Sequence, residues 1–327
     1  AIGEPLYITA MKYAGCSLEG NKNLCDIHSL TFSEENAAKL RTFFSETTEP
    51  DPQPDGDEVI RFNRVSYSYE PGKRVVNDVS FVVHRGERIA VVGRNGAGKS
   101  TVARLICGVG RPEEGTIEID GQNSKSMSIK EIGERVGYVM QNPNQMIIKD
   151  TIKNEVEYAL TIRNVPREEL VRRATNALNA CSLFPMRNWP VDTVSYGQKK
   201  RITVASILVL EPDVLILDEP SAGQDYRSYT EIMKFIDVLN HEYGKTILFI
   251  THDMHLALEN TDRALVFSDS RLVADESVSA VLADDTLIRE ASLKQTSLYT
   301  LAQKLSLSPE QVTRRFIEHE RKVRVGE

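Results

Sequence analysis

The stretch Gly93-Arg-Asn-Gly-Ala-Gly-Lys-Ser100 (GRNGAGKS) decides how this sequence of 327 residues folds. It follows the apolar run IAVV (89–92) and precedes TVARLI (101–106), so it lies between a predicted strand and a predicted helix. Glycines at positions 93, 96 and 98 permit backbone conformations that point successive N–H groups inward. Such N–H groups form an anion-binding nest at a helix N-terminus, so the stretch predicts a phosphate-binding loop.

The residue types of this loop suit a nucleoside triphosphate bound with Mg²⁺. We expect the Lys99 ammonium to reach the β- and γ-phosphates and the Ser100 hydroxyl to coordinate the metal. Thr101 is expected to meet the α-phosphate. The predicted nucleotide-binding residues of the loop are Gly93, Arg94, Asn95, Gly96, Ala97, Gly98, Lys99, Ser100 and Thr101.

A second segment, VLILDEP (214–220), supplies two carboxylates. Its four apolar residues predict a buried strand, which delivers Asp218 to the sheet edge where ligands bind in open α/β folds. We expect Asp218 to hold Mg²⁺ through water. Glu219 is then the predicted catalytic base, because a carboxylate at the strand tip can orient and polarise the attacking water.

Two further polar residues follow predicted strands. Gln141 comes after VGYVM (136–140), where its amide can contact the metal or the attacking water. His252 comes after ILFIT (247–251), where its imidazole can form a hydrogen bond to the γ-phosphate. Either residue alone is typical of an ordinary surface position. Beside the phosphate loop, we predict that both are functional: Gln141, Glu219 and His252 in catalysis, and Ser100, Gln141 and Asp218 in metal binding.

Composition narrows the function classes. The net charge of −7 disfavours a broad electrostatic footprint for nucleic acid. The four cysteines are widely spaced and include no C-x-x-C pair, which favours reduced thiols over a zinc site. No run approaches the roughly 20 apolar residues that cross a bilayer, so work at a membrane would need a partner.

The chain divides into segments of different character. SEENAAKLRTFF (33–44) predicts a helix capped by Ser33, and EPDPQPDGD (49–57), with three prolines and four acids, predicts an extended spacer. Strand and helix patterns then alternate, which favours a parallel, helix-covered sheet preceded by antiparallel strands. The predicted segments are 1–49, the linker 50–57, an ATPase domain at 58–282 and a helical extension at 283–327.

VSYGQKKR (194–201) resembles the signature of ATP-binding-cassette ATPases, LSGGQ followed by basic residues, with Tyr196 where the pattern has its first Gly. The resemblance covers about residues 58–282. Its matching positions are the adenine-stacking Tyr69, the phosphate loop Gly93–Thr101, Gln141, the signature residues Ser195, Gly197 and Gln198, the pair Asp218 and Glu219, Asp225 in SAGQD, and His252. The family implies an α/β P-loop NTPase fold. It has a RecA-like parallel sheet, an antiparallel β subdomain, a helical subdomain at about 141–199 and, here, a helical C-terminal tail.

The resemblance also implies how ATP is used. In the family, the signature heads a helix whose N–H groups and Ser195 close over ATP held by the opposite domain. Each ATP then bridges two domains, and hydrolysis releases them. The implied partner is a second ATPase domain.

Three further segments resemble one subfamily of these ATPases. QNPNQMIIKDTIKNEVEYAL (141–160) and YGQKKR (196–201) resemble cobalt-type and energy-coupling-factor vitamin importers, and EPLYITAMKYAG (4–15) resembles the segment after the first cassette of their fused proteins. The likeness is strongest to the second half of a fused two-cassette protein of hydroxymethylpyrimidine/thiamine importers. It implies an upstream fused cassette, an integral membrane subunit, a substrate-binding membrane protein and a place on the cytoplasmic face of the membrane. Met140, Met146, Ile147, Ile148 and Tyr158 are candidates for the groove that receives the membrane subunit, or else belong to the core.

Two alternatives of another class stay open. A soluble cassette ATPase of DNA repair or translation is disfavoured, because only residues 101–194 separate the loop from the signature and the linker is acidic. A kinase on the same loop is disfavoured by the signature.

LAQKLSLSPEQVTRRF (301–316) resembles a helix-turn-helix, with a capping box at Ser308–Gln311. Residues 285–327 carry eight Lys and Arg against six Asp and Glu, which favours a docking or dimer-stabilising tail, with no nucleic acid expected.

Overall fold

Two β-sheets form the framework of the chain in the computed structural model, which describes residues 4–19, 23–46, 56–222 and 226–325. The larger sheet contains, in spatial order, β10 (Arg271–Ser277), β9 (Arg263–Ser268), β3 (Arg88–Gly93), β8 (Thr246–Ile250), β7 (Val214–Asp218) and β6 (Val136–Val139). Its neighbouring strands pair in parallel, except that β10 runs antiparallel to β9. The predicted parallel α/β sheet is therefore confirmed.

The smaller sheet is antiparallel and contains, in spatial order, β2 (Lys73–His84), β1 (Glu58–Glu70), β4 (Glu114–Ile119) and β5 (Gln122–Asn123). The rings of Phe62 and Phe81 stack across β1 and β2 with centroids 4.5 Å apart. One apolar cluster joins this sheet to the buried face of the larger one. The antiparallel subdomain expected from the sequence is thus present.

Helices cover both faces of the larger sheet. In chain order they are α1 (Leu6–Tyr13), α2 (Glu34–Ser45), α3 (Lys99–Ile106), α4 (Ile129–Arg135), α5 (Ile152–Thr161), α6 (Arg167–Ala180), α7 (Tyr196–Leu208), α8 (Tyr226–His241), α9 (Met254–Asn260), α10 (Val278–Ala283), α11 (Asp285–Glu290), α12 (Ser297–Leu305) and α13 (Pro309–Val325). Helices α5, α6 and α7 pack together and onto β7 and β8, which forms a helical layer beside the sheet. No helix of the described residues is long and apolar enough to cross a bilayer.

The helix caps follow the sequence signals with one correction. Ser33 caps α2 as predicted, since its side chain accepts a hydrogen bond from the Asn36 N–H. The capping box predicted at Ser308–Gln311 is only half formed. Ser308 Oγ accepts from the Gln311 N–H, but the Gln311 side chain instead donates to the Phe44 carbonyl at 2.8 Å. A tertiary contact has displaced the local one.

The N-terminal helices pack on the C-terminal ones. Leu40 and Phe44 of α2 are fully buried in the same apolar cluster as Leu301 of α12 and Phe316 of α13. The apolar positions of the helix-turn-helix pattern therefore face this cluster. Polar contacts fix the same packing, because the Lys304 ammonium donates to the Leu30 carbonyl at 3.0 Å. The segment boundaries at 50–57 and 283 stay predictions, and residues 50–55 lie outside the described residues.

Candidate nucleotide-binding site

The loop between β3 and α3 has the backbone that the sequence predicts. Gly93, Gly96 and Gly98 have φ angles of 142°, 82° and 106°, which side-chain-bearing residues rarely adopt. A Cβ at position 93 would lie 2.1 Å from the Phe267 carbonyl oxygen, and one at position 98 would lie 2.5 Å from that of Val75. Only glycine fits at these two positions, and the resulting loop places the N-terminus of α3 at the carboxyl edge of the sheet.

Lys99 is the buried cation of this loop. Its side chain is 7% exposed, and its ammonium donates to the carbonyls of Gly93 at 2.6 Å and Arg94 at 2.9 Å. Burial lowers the pKa of Lys99, while the nearby carboxylates of Glu219 and Asp218 act in the opposite direction. The ammonium thus lies over the loop, where it can exchange carbonyl oxygens for phosphate oxygens.

Asp218 ends β7 and faces the loop. It is 7% exposed, and its carboxylate accepts a hydrogen bond from the Tyr138 hydroxyl of β6 at 2.8 Å. Burial, followed by the charge of Asp218, raises the pKa of Tyr138, so the phenol keeps its proton and remains a donor. Tyr138 is a site residue that sequence reasoning missed, because VGYVM looks like an ordinary core strand.

Glu219 is held in an uncommon backbone conformation. Its φ of 48° lies in the left-handed region, and its N–H donates to the Ile250 carbonyl at 2.8 Å. A hydrogen bond joins Glu219 Oε1 to His252 Nδ1 at 2.6 Å, whereas Glu219 Oε2 is buried with no hydrogen-bond partner among the described residues. Strained backbones persist where surrounding structure imposes them, often at functional sites.

Lys200 of α7 is a second residue that the sequence analysis did not assign. Its ammonium donates to the Glu219 carbonyl, although the side chain is only 3% exposed. Burial lowers the pKa of Lys200 to about 8, against the attraction of Glu219 and Asp218. Nothing in the basic run after the signature indicates that one of its lysines turns inward beneath Glu219.

Lys99, Asp218 and Glu219 surround one cavity of about 310 Å³. Its walls contain Val75, Asn95, Gly96, Gly98, Lys99, Ser100, Thr101, Gln141, Asp218, Glu219, Ile250 and His252. The structure therefore brings together most of the residues that the sequence assigned to ATP, metal and catalysis. Gly93, Arg94 and Ala97 belong to the same loop without lining the cavity.

Tyr69 lies at the edge of this site. Its ring is 52% exposed and meets Tyr67 edge to face at 5.1 Å, and its hydroxyl is 3.3 Å from the Thr101 hydroxyl. The Arg104 guanidinium also donates to that hydroxyl, at 3.4 Å, and this bond raises the pKa of Arg104. An exposed aromatic face is thus fixed next to the loop.

The signature residues lie elsewhere. Ser195 caps α7 in a full capping box, in which Ser195 Oγ accepts from the Gln198 N–H and Gln198 Oε1 accepts from the Ser195 N–H at 2.8 Å. Neither these two residues nor Gly197 lines the cavity. Asp225, assigned to the loop after Glu219, lies outside the described residues.

Comparisons with known proteins identify the family of the chain. A family profile for ABC transporters matches residues 76–222, and a profile described as an ATP-binding cassette cobalt transporter matches residues 1–67. The solved structure of cbiO1 from Clostridium perfringens, described as part of the ABC transporter complex cbiONQ, is 30% identical with a TM-score of 0.66, covering 76% of this chain and 99% of that one. The chain belongs to the ABC transporter ATP-binding family. The resemblance inferred from the sequence is confirmed, and with it the P-loop fold.

Further members of the family extend the likeness to the whole chain. An ABC transporter ATP-binding protein of Enterococcus faecalis is 50% identical over 99% of this chain, and one of Clostridium perfringens is 46% identical over 99%. The chain spans 57% of the length of each. A dimeric ATP-binding cassette bound to ADP and Pi is 26% identical with a TM-score of 0.61, and covers 67% of this chain and 98% of its own.

Proposed function

We propose that this ABC cassette hydrolyses ATP to power an energy-coupling-factor importer for a vitamin, a vitamin precursor or a metal ion. The observation that carries the proposal is the cavity in which Lys99, Asp218, Glu219 and His252 converge. The substrate class rests on the likeness to the cobalt-transporter profile and to cbiO1.

The triphosphate would lie along the loop, with Lys99 at its β- and γ-phosphates. The exposed ring of Tyr69 supplies a stacking face for adenine beside Thr101. A base can stack on an aromatic side chain whatever its identity, because every base has a π-face. The loop N–H groups then bind the phosphates, and α3 contributes its positive end.

The oxygen donors around the cavity fit Mg²⁺. The Asp218 carboxylate, the Ser100 hydroxyl and the Gln141 amide are hard ligands of the kind this ion takes, and few protein ligands suffice because it keeps several waters. A bound Mg²⁺ would supply charge neutralisation at the β- and γ-phosphates. The buried Oε2 of Glu219, which has no partner among the described residues, marks the side of the cavity where a water can be held.

Glu219 would act as the general base. Its Oε1 is occupied by His252, so Oε2 is the oxygen free to accept the proton of an attacking water. His252, whose side chain is 68% exposed, keeps its other ring nitrogen available for the γ-phosphate. The pair therefore orients one carboxylate toward water and one imidazole toward phosphate.

The signature would complete a second site on a partner cassette. Ser195 stands exposed at the N-terminus of α7, a helix of 13 residues whose first N–H groups can bind an anion. We propose that the opposite cassette belongs to the same parent protein, fused upstream. The relatives are longer than this chain, which leaves room for it.

We place the membrane subunit in an apolar groove. One side of the groove is formed by α4, β6 and the segment after α3, and the other by the helical layer. The groove has a volume of about 590 Å³, and its walls include Val109, Ile129, Ile162, Ile207 and Leu210. Lys130 and Arg163 add positive charge at its rim. A helix of the membrane subunit seated there would contact both sides of the groove. A relative movement of the two sides would then move that helix at the cytoplasmic face of the membrane.

The candidate docking residues expected from the sequence lie outside this groove. Met146 and Ile147 pack partly buried against the helical core, and Tyr158 carries the Lys149 ammonium 3.9 Å above its ring. Ile148 is 61% exposed, but neither it nor Met140 lines this groove. A contact between these candidate residues and the membrane subunit stays a prediction.

Membrane recruitment tests this proposal. The full-length protein, expressed with the membrane subunits of its own genome, should sediment with membranes and hydrolyse ATP there. Ile129→Asp, at a position 62% exposed in the groove, should release the protein into the supernatant. Tyr243→Asp, at a position 66% exposed outside the groove, is the matched control and should stay bound. A wild-type protein that remains wholly in the supernatant would contradict the importer role.

A further inference from the structure

The first turn of α7 is attached to the loop that follows β6. The Tyr196 hydroxyl donates to the Gln141 carbonyl at 3.3 Å, and the Lys199 ammonium donates to Asn144 Oδ1 at 3.3 Å. The loop is itself ordered, because Asn142 caps a 3-10 turn at Pro143–Gln145. Two side chains three residues apart on the first turn of α7 therefore hold one short loop.

This contact joins two sites with different roles. Gln141 lines the ATP cavity of this cassette, whereas Ser195, the residue before Tyr196, caps α7 away from that cavity. One peptide unit thus separates the residue that reaches the Gln141 carbonyl from the residue proposed to face the partner's ATP. A glycine at position 196, as in the family pattern, has no side chain with which to make this connection.

The link between the two sites runs through the main chain of Gln141. Tyr196 bonds the main-chain carbonyl of Gln141, so the Gln141 side chain remains free to turn toward metal or water. The capping box holds Ser195 rigidly on the helix through Gln198. A shift of the Gln141 backbone would therefore move the N-terminus of α7 together with Ser195.

We infer that Tyr196 is a positioning residue that couples occupancy of this cassette's own ATP cavity to the Ser195 half-site on the same chain. The inference rests on the proposed function, since it assigns Gln141 to one ATP and Ser195 to the other. Binding of ATP at the loop displaces Gln141, and the Tyr196 hydrogen bond transmits that displacement to Ser195 at the N-terminus of α7.

Steady-state ATP hydrolysis by the full-length protein with its membrane subunits tests the inference. Tyr196→Phe removes only the hydroxyl, and Tyr196→Gly restores the family residue. Both should lower kcat by about threefold to tenfold, the range expected for one hydrogen bond, and leave the KM for ATP unchanged. The Hill coefficient for ATP should fall toward one. Tyr243→Phe, which also deletes a phenol hydroxyl but lies outside both sites, should match the wild type.

A double-variant cycle separates coupling from a merely structural effect. If Gln141 carries the signal, Tyr196→Phe should cost nothing further in a Gln141→Ala background. Additive losses, a raised KM with unchanged kcat, or wild-type kinetics in both Tyr196 variants would overturn the inference. A wild-type protein without ATP hydrolysis would instead overturn the proposed function, so the two failures are distinguishable.

Discussion

At the residue scale, the surroundings of Glu219 fit the base that we propose for this pocket. The left-handed φ of 48° turns the side chain into the cavity, and Lys200 and Ile250 hold the peptide units on either side through hydrogen bonds. His252 occupies Oε1, and Oε2, which has no hydrogen-bond partner among the described residues, is the oxygen that the proposed role of a base requires. The conformation costs backbone energy that the surrounding contacts offset.

Glu219→Gln should abolish most of the turnover while preserving ATP binding. The amide keeps the shape of the side chain but cannot accept the proton of water, so hydrolysis should fall about 10²- to 10⁴-fold. Phosphate release and the affinity for labelled ATP are the two measurements. Glu118→Gln, on β4 and away from the cavity, should leave both unchanged. Normal turnover in Glu219→Gln would remove the assignment of the base.

Much of the site could be predicted because its residues lie in contiguous motifs or at strand ends. The loop Gly93–Thr101 and the carboxylates at 218 and 219 are recognisable from the residues around them. Parallel strands then bring their carboxyl ends together at one edge of the sheet. Tyr138 and Lys200 could not be predicted. Tyr138 reaches a partner 80 residues away, and nothing in its own strand indicates which carboxylate it meets.

At the element scale, the structure adds a partner to each amphipathic helix. The sequence predicted α2 from Ser33 and its apolar stripe, and it predicted α13 from Pro309, but neither pattern names the surface that the stripe covers. In the structure, the two helices cover each other. The capping box at Ser308 was wrong in its second half because the same packing recruits Gln311 to the Phe44 carbonyl.

Phe44→Ala should destabilise the cassette strongly. Phe44 is fully buried between α2 and the C-terminal helices, and deletion of a buried phenylalanine ring costs about 3–5 kcal/mol in transfer and cavity terms. Urea unfolding followed by circular dichroism measures this loss. Val171→Ala, at a position 42% exposed on α6, is the control and should change stability by less than about 0.5 kcal/mol. An unchanged midpoint for Phe44→Ala would show that the N-terminal segment does not share the cassette's core.

At the scale of the whole molecule, two buried groups give stability opposite dependences on pH. Cys181 is 5% exposed in the helical layer, and burial raises the pKa of its thiol from 9.0 to about 12. The unfolded thiol loses its proton above pH 9 while the folded thiol keeps it, so this contribution to stability falls from pH 9 upward. Lys200, with its pKa lowered to about 8 from 10.5, releases its proton first in the folded state, so its contribution rises between pH 8 and 10.5.

Cys181→Ala should therefore change the pH dependence as well as the stability. At pH 8 the variant is less stable than the wild type, because the thiol leaves a small cavity. Between pH 9 and 10.5 the gap should narrow by up to about 1.4 kcal/mol per pH unit, since only the wild type carries a thiol that the fold keeps protonated. Urea unfolding at pH 8, 9, 10 and 10.5, without nucleotide and in the presence of a chelator, measures the gap. If the gap stays constant across this range, the thiol titrates alike in both states, and the helical layer does not exclude water from Cys181 as the structure requires.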